Sequence, residues 1–397
     1  MNLKCGWVES IEQISADDWE NIFGTNKIVK SHAFSKAIEQ ACIPNFQIYY
    51  MLVKDESDIV AIVPCFIYSI ELEILSGNIL KGLVSRIRKV YAKFLRPKVL
   101  GLGSPVATCE NHIGLASNLS KYQQKIIGDL IVNELLIFSE KAKTNVVIVK
   151  EIPESEISSF KDIFPAGFHF YESLPNSFLP VYDNFKPYPM ALRKKYRQRF
   201  YNAIKKSEQA MVKWELIEDY SSFLSKIYEL YANVYTKSRY KFEKLNVDFF
   251  ANLNKFLPKN SFVLLATNPS NVVIAVEVLL EEDECLIPLY LGLNYEYTEN
   301  TQIYQNVIFR TLIEAQKRNK KYVIFGQTSY IPKSYSGCLF EKLYIAVYFK
   351  DNFFTIFLRL IFPYLFPCFE KPSIDCYKSD FKQDLDIFMK SINRKFI

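Results

Sequence analysis

The chain repeats itself. The stretch Tyr122-Gln123-Gln124-Lys125-Ile126-Ile127-Gly128-Asp129-Leu130-Ile131 aligns with Tyr304-Gln305-Asn306-Val307-Ile308-Phe309-Arg310-Thr311-Leu312-Ile313, 182 positions later. In both copies apolar residues recur at helical spacing, Ile126, Ile127, Leu130 and Ile131 in one, Val307, Ile308, Phe309, Leu312 and Ile313 in the other. Each predicted helix runs into an apolar strand, 145–149 or 322–325. Each is preceded by a predicted hairpin, 46–53 with 59–68 and 261–266 with 272–280. The links, Asp55-Glu56-Ser57-Asp58 and Asn268-Pro269-Ser270-Asn271, favour tight reversal because Asn, Asp and Ser bond their own backbone and Pro presets φ. A third strand follows each hairpin, 99–102 and 285–293. An order of hairpin, strand, helix and strand that occurs twice predicts two similar domains, each a mixed α/β (α+β) sheet with helices.

The second half carries further elements. A strand at 211–217 precedes a helix with Phe223, Ile227, Leu230, Val234 and Tyr235 on one face. A helix at about 247–256 ends before Pro258, as proline requires, and 343–349 reads as a late strand of this half. The expected partition is 1–175, 176–365 and a C-terminal tail, 366–397.

Composition narrows the function classes. Apolar residues make up 49% of the 397 and charged residues 23%, enough for large cores and incompatible with a disordered chain. Gly 12 argues against glycine-rich phosphate loops, and Gly101-Leu102-Gly103 lacks a third glycine because position 106 is Val. There is no His-Glu-x-x-His, no Cys/His zinc spacing and no Gly-x-Ser-x-Gly, so no metal is expected. His32, His112 and His169 stand apart in sequence and read as packed or surface residues. Cys 8 contains no Cys-x-x-Cys pair, and the N-terminus has no signal-like apolar core, so reduced thiols in a cytoplasm are expected. The apolar stretch 353–369 is interrupted by Arg359, Pro363 and Pro367 and is too short to span a membrane.

The net charge of +6 is concentrated in two segments. Residues 81–98 hold seven bases and no acid, and residues 186–206 hold eight bases and no acid. The first overlaps an amphipathic cationic helix at 80–95 that either packs on the first domain or lies at a membrane surface. In the second, Tyr196, Phe200 and Tyr201 interleave with Arg193, Lys194, Lys195, Arg197, Arg199, Lys205 and Lys206. Such a helix suits a phosphate-bearing partner: an RNA acceptor stem, a phosphopantetheine arm, an acidic carrier protein or anionic lipid.

The repeated order, together with certain motifs, resembles the GNAT acyltransferase fold in tandem form. The similarity is to the Fem-type aminoacyl transferases and to a related acetyltransferase-like domain of cell-envelope biosynthesis. It runs from about Trp7 to Tyr348. It is carried by Leu192-Arg193-Lys194-Lys195-Tyr196-Arg197, similar to the family's basic interdomain helix, and by Tyr290-Leu291-Gly292-Leu293-Asn294, similar to its central strand. Tyr304-Gln305-Asn306-Val307 resembles its helix opening, and Phe325-Gly326-Gln327-Thr328-Ser329 with Lys333 resembles its strand exit and following lysine. The resemblance implies two GNAT-like domains and an N-acyltransferase of amines, with no permanently bound cofactor. Single-domain members carry a Gln/Arg-x-x-Gly-x-Gly/Ala loop where this chain has the glycine-free 300–305. The implied co-substrate is therefore open among acyl-CoA, acyl carrier protein and aminoacyl-tRNA.

Acyl transfer needs a base, oxyanion donors and an acid for the leaving group. Glu277 interrupts the apolar run 272–280, so burial would raise its pKa toward neutrality; on an open face it would be a solvated charge. Tyr290, on the next strand, is the expected acid near Glu277, or else a core tyrosine. Gln302, Tyr304, Gln305 and Asn306 at the helix opening, with Arg193, Lys194 and Arg197, are the expected co-substrate contacts. The amides among them would otherwise cap the helix. Gln327, Ser329 and Lys333 are the expected acceptor contacts, Lys333 being otherwise a solvated loop charge. The alternative to an enzyme is a binding protein of the same fold that recognises a lipid, a polysaccharide precursor or a carrier protein.

Overall fold

The computed structural model describes residues 1–69, 97–164, 167–181, 188–238, 241, 243–350, 356, 359–360, 369, 371–392, 394 and 396. The cationic helix expected at 80–95 lies outside them. Among the described residues fifteen strands follow in chain order. The first seven are β1 (Leu3–Val8), β2 (Gln47–Asp55), β3 (Asp58–Ser69), β4 (Lys98–Leu102), β5 (Gly114–Leu115), β6 (Val146–Pro153) and β7 (Phe168–Glu172). The next four are β8 (Asn176–Pro180), β9 (Lys213–Ile217), β10 (Ser261–Thr267) and β11 (Val273–Glu281). The last four are β12 (Cys285–Leu293), β13 (Tyr322–Ile324), β14 (Leu339–Glu341) and β15 (Leu343–Phe349).

Two compact units result. Unit 1 gathers Met1–Ser173, Arg239–Leu245 and Leu343–Phe369; unit 2 gathers Leu174–Ser238, Asn246–Lys342 and Glu370–Ile397. The sheet of unit 1 runs β1-β2-β3-β4-β6-β15-β7, with β5 added beside β3, and that of unit 2 runs β9-β10-β11-β12-β13-β8-β14. Position by position the pairings agree. The first four strands are antiparallel, the fourth and fifth parallel, and the last three antiparallel. Each parallel pair is joined through a long helix, Lys121–Lys141 or Ile303–Lys317, because parallel strands need a crossover. These are the helices of the sequence repeat.

The sixth strand of the unit 1 sheet departs from the expected partition. Leu343–Phe349, read as a late strand of the second half, lies in unit 1 between β6 and β7. Asn176–Pro180 lies in unit 2 between β13 and β14. Both strands are buried over most of their length, so neither has the in-out alternation that would mark one sheet as its own. The C-terminal residues are not a separate tail. Residues 370–397 belong to unit 2, where Tyr377 bridges Leu192 and Arg394 pairs with Glu341 at 2.7 Å.

Alternation along the strands sorts the core into layers. Met51 and Val53 of β2 join Val63, Leu100 and Val147 under Ile127, Ile131 and Leu135 of the long helix. Tyr50 and Leu52 point to the other face, against Ile11, Trp19 and Ile62. Each such side chain contributes about 1.5–3 kcal/mol by leaving water.

Candidate active site

Glu277 lies near the middle of β11, opposite Leu264 of β10 and Leu291 of β12. Cross-strand partners share a face, so Glu277 and Leu291 point to the side covered by helix Ile303–Lys317. There Thr311 Oγ1 donates a hydrogen bond to Glu277 Oε2. The carboxyl is buried, 4% exposed. Burial pushes its pKa up to about 8, against the opposing effects of the Thr311 hydrogen bond and the Lys333 ammonium. At pH 7 the group is mainly a neutral acid with a proton it can lose just above neutrality.

Tyr290 is not its partner. It pairs with Val278 and so points to the opposite face. Its ring meets Tyr231 at 5.5 Å, Phe249 at 5.9 Å and Phe250 at 6.3 Å, all nearly perpendicular, under helices Leu224–Lys237 and Val247–Phe256. The expected approach of Tyr290 to Glu277 fails on register: side chains one step out of phase across an antiparallel ladder are separated by the sheet.

Tyr304 is the tyrosine on Glu277's side. It is half-buried in the first turn of helix Ile303–Lys317 and is hydrogen-bonded with the Ser329 side chain. Burial is the main cause of a phenol pKa near 12, with the Glu277 charge adding to it and Ser329 opposing it. The phenol therefore keeps its proton across the working pH range. Ser329 itself is exposed, so the pair reaches solvent, and Tyr304 lies near enough to Glu277 for that charge to act on the phenol.

The backbone here is strained. Gln302 (φ 50°), Thr328 (φ 64°) and Ser329 (φ 51°) all occupy the left-handed region, where a Cβ costs about 1 kcal/mol or more per residue. Lys333 holds the segment after β13 in place, its buried ammonium donating to the carbonyls of Phe325 (2.7 Å), Gly326 (2.9 Å) and Gln327 (2.9 Å). That cation organises the loop rather than standing in solvent.

Other expected contacts serve the scaffold. Asn306 Nδ2 donates to the carbonyls of Ala203, Thr301 and Gln302, tying helix Lys194–Gln209 to the site helix. Gln327 Nε2 donates to the Leu174 carbonyl at 2.7 Å, and Gln305 Nε2 to Ser336 Oγ at 2.6 Å. Arg193 pairs with Asp375 at 2.6 Å and donates to the Tyr377 carbonyl. Lys194 is exposed and Arg197 half-buried on the same helix. The structure thus brings together Glu277, Tyr304, Ser329 and Lys333, and leaves Tyr290 and Arg193 apart from them. Thr311 was missed. Its signal was a hydroxyl among the buried apolar positions Val307, Ile308, Leu312 and Ala315.

The two units differ at the start of their long helices. Ser120 caps its helix in unit 1 through a capping box with Gln123. The repeat offset maps these positions onto Gln302 and Gln305, where no side-chain cap forms and Gln305 bonds Ser336 instead. The first-turn N–H groups of this helix start are the kind that attract anions. In unit 1 the parallel strands β4 and β6 pair over four positions, Val99↔Val146 to Leu102↔Val149. Among the described residues β12 and β13 pair over two, Cys285↔Tyr322 and Leu286↔Val323, and β12 turns half-buried from Pro288 to Leu291. Unit 1 instead closes over a buried polar cluster in which Glu151 (φ 53°) accepts from Thr108, and Thr108 Oγ1 is hydrogen-bonded with His112 Nε2 at 2.8 Å.

These features define a tandem GNAT-like fold, two mixed units with parallel fourth and fifth strands. The chain is similar to FemX, with a TM-score of 0.54, 8% identity and coverage of 90% of this chain and 99% of FemX. It is also similar to L-PGS from Bacillus licheniformis (TM-score 0.51, 9% identity, 86% and 97% covered). A third similar structure is the C-terminal domain of a putative lysylphosphatidylglycerol synthetase from Agrobacterium fabrum (TM-score 0.52, 7% identity, 88% and 96% covered). No protein-family profile and no curated protein matches the sequence.

Proposed function

We propose that the chain is an N-acyltransferase whose chemistry takes place in unit 2. The observation that carries this reading is the buried Glu277, poised near pH 8 and close enough to the Tyr304–Ser329 pair for its charge to act on the phenol. An acceptor amine attacks the donor's acyl carbon, forming the N–C bond and breaking the bond to the leaving sulfur or oxygen. Glu277, once ionised, takes the proton that the attacking nitrogen sheds. Tyr304 gives a proton to the leaving group, and Ser329 steadies the phenol. The oxyanion is met by first-turn N–H groups of helix Ile303–Lys317. No covalent enzyme intermediate is needed.

The half-burial of β12 from Pro288 to Leu291 supports access of a donor to this strand, and the name of one similar structure, a lysylphosphatidylglycerol synthetase, supports an aminoacyl group among the donors to be tried. The test is incubation of the full chain with acyl-CoA, acyl carrier protein and aminoacyl-tRNA donors against a panel of amines. Product with one donor, abolished in Glu277→Gln, is the expected result. No acyl transfer from any donor would leave a binding protein of the same fold.

A further inference from the structure

Helix Lys194–Gln209 is fixed to its unit along one edge. Phe200, Ala203 and Ser207 are its buried residues, and the Phe200 ring lies 4.3 Å from that of Phe309. At about 100° per residue, the opposite side presents Lys194, Gln198, Tyr201 and Lys205, flanked by Lys195, Arg199, Asn202 and Lys206, all exposed. The helix's one acid is Glu208.

Exposed apolar side chains lie on and beside this helix. Tyr201 is 51% exposed within the lysine stripe. Met190 (44%) precedes the helix and Met211 (66%) follows it. Arg199 stacks on the Tyr335 ring at 4.1 Å, and Ile331 (59%), one turn before Tyr335 on helix Tyr330–Tyr335, shares that face. A nucleic acid would use the cations and the tyrosine but has no use for exposed Met190, Met211 and Ile331. A lipid surface uses both, since lysines meet anionic headgroups while aliphatic and aromatic tips enter the interface. No helix among the described residues is long and apolar enough to cross a membrane, so such contact would lie on the surface.

We infer that this face of unit 2 seats on an anionic lipid bilayer. The inference stands whether or not the acyltransfer reading does, because it is tested by binding alone. The full chain is sedimented with vesicles of phosphatidylcholine, and with vesicles of phosphatidylcholine mixed with phosphatidylglycerol. Binding to the mixed vesicles alone is expected. The double variant Lys194→Glu, Lys205→Glu should weaken it by about a hundredfold or more, since two positive charges become negative. Ile331→Ser keeps every charge and should lose more of its binding than the parent as salt is raised, because screening leaves only insertion to hold it. A single-stranded oligoribonucleotide is tried in parallel. Failure to bind mixed vesicles, with or without oligoribonucleotide binding, would overturn the inference. So would vesicle binding unchanged in the double variant, or an Ile331→Ser salt curve identical to the parent's.

Discussion

Thr311 Oγ1 donates its hydrogen bond to Glu277 Oε2 from a helix that lies across the middle of a buried sheet. The bond favours the ionised carboxyl, so it offsets part of the effect of burial and sets where the group titrates.

Glu277→Gln keeps the shape and removes the base. Acyl transfer should fall by about 10²-fold or more, and the limb of the pH–rate profile near 8 should vanish. Thr311→Val should move that limb to higher pH, because the opposing hydrogen bond is gone. Steady-state kinetics between pH 6 and 10 would show both, and an unmoved limb in Thr311→Val would detach it from Glu277.

Tyr304 and Tyr290 can be separated by removing one oxygen. Tyr304→Phe should lower turnover by roughly tenfold to a hundredfold, as expected for loss of a proton donor. Tyr290→Phe should leave turnover within about twofold, since its hydroxyl lies on the other face of the sheet. The reverse ranking would return the acid role to Tyr290.

Glu277 also makes stability depend on pH. Unfolded, the carboxyl loses its proton above 4.5; folded, it holds the proton to about 8. Its contribution is complete below pH 4.5 and is lost as pH rises through 8, at roughly 1 kcal/mol per pH unit in between. Urea midpoints across this range should show a decline that is shallower in Glu277→Gln.

His112 acts in the opposite direction. Its ordinary pKa, 6.5, falls to about 3, with burial the main cause and the Lys30 and Lys150 charges adding to it. Above 6.5 both states are neutral; below it the unfolded chain gains a proton that the folded chain refuses until about pH 3. Stability should therefore decline from pH 6.5 downward, and His112→Asn should flatten that part of the curve. Identical acid limbs in the two proteins would contradict the burial.

Gly292 is a matter of space. A Cβ there would stand 2.7 Å from Leu230 Cβ and 2.8 Å from the Leu230 carbonyl carbon. Gly292→Ala should cost about 1–3 kcal/mol by forcing helix Leu224–Lys237 off the sheet, measurable as a lower denaturation midpoint.

Much of this is legible in the sequence. The helix repeat at Tyr122 and Tyr304 announced two like sheets, and the carboxylate of Glu277 stood out because apolar residues surround it in sequence. Tyr290 was misplaced because neighbouring strands reveal pairing partners only through register, and one step of register exchanges the faces. The strain at Gln302, Thr328 and Ser329 was invisible, since none is the glycine that usually marks a left-handed turn. Ownership of Leu343–Phe349 is hidden for a different reason. Only residue 342 links it to the strand before it, and nothing in so short a link states which sheet comes next.

That last feature governs how the protein can be made. On a ribosome the first sheet waits with a slot between β6 and β7 until residue 349 has been synthesised and is free to fold. A fragment ending at 175 would carry two bare strand edges and invite aggregation, and a fragment starting at 181 would lack the strand that separates β13 from β14. Each sheet is complete only once a strand from outside its main run of sequence has been added.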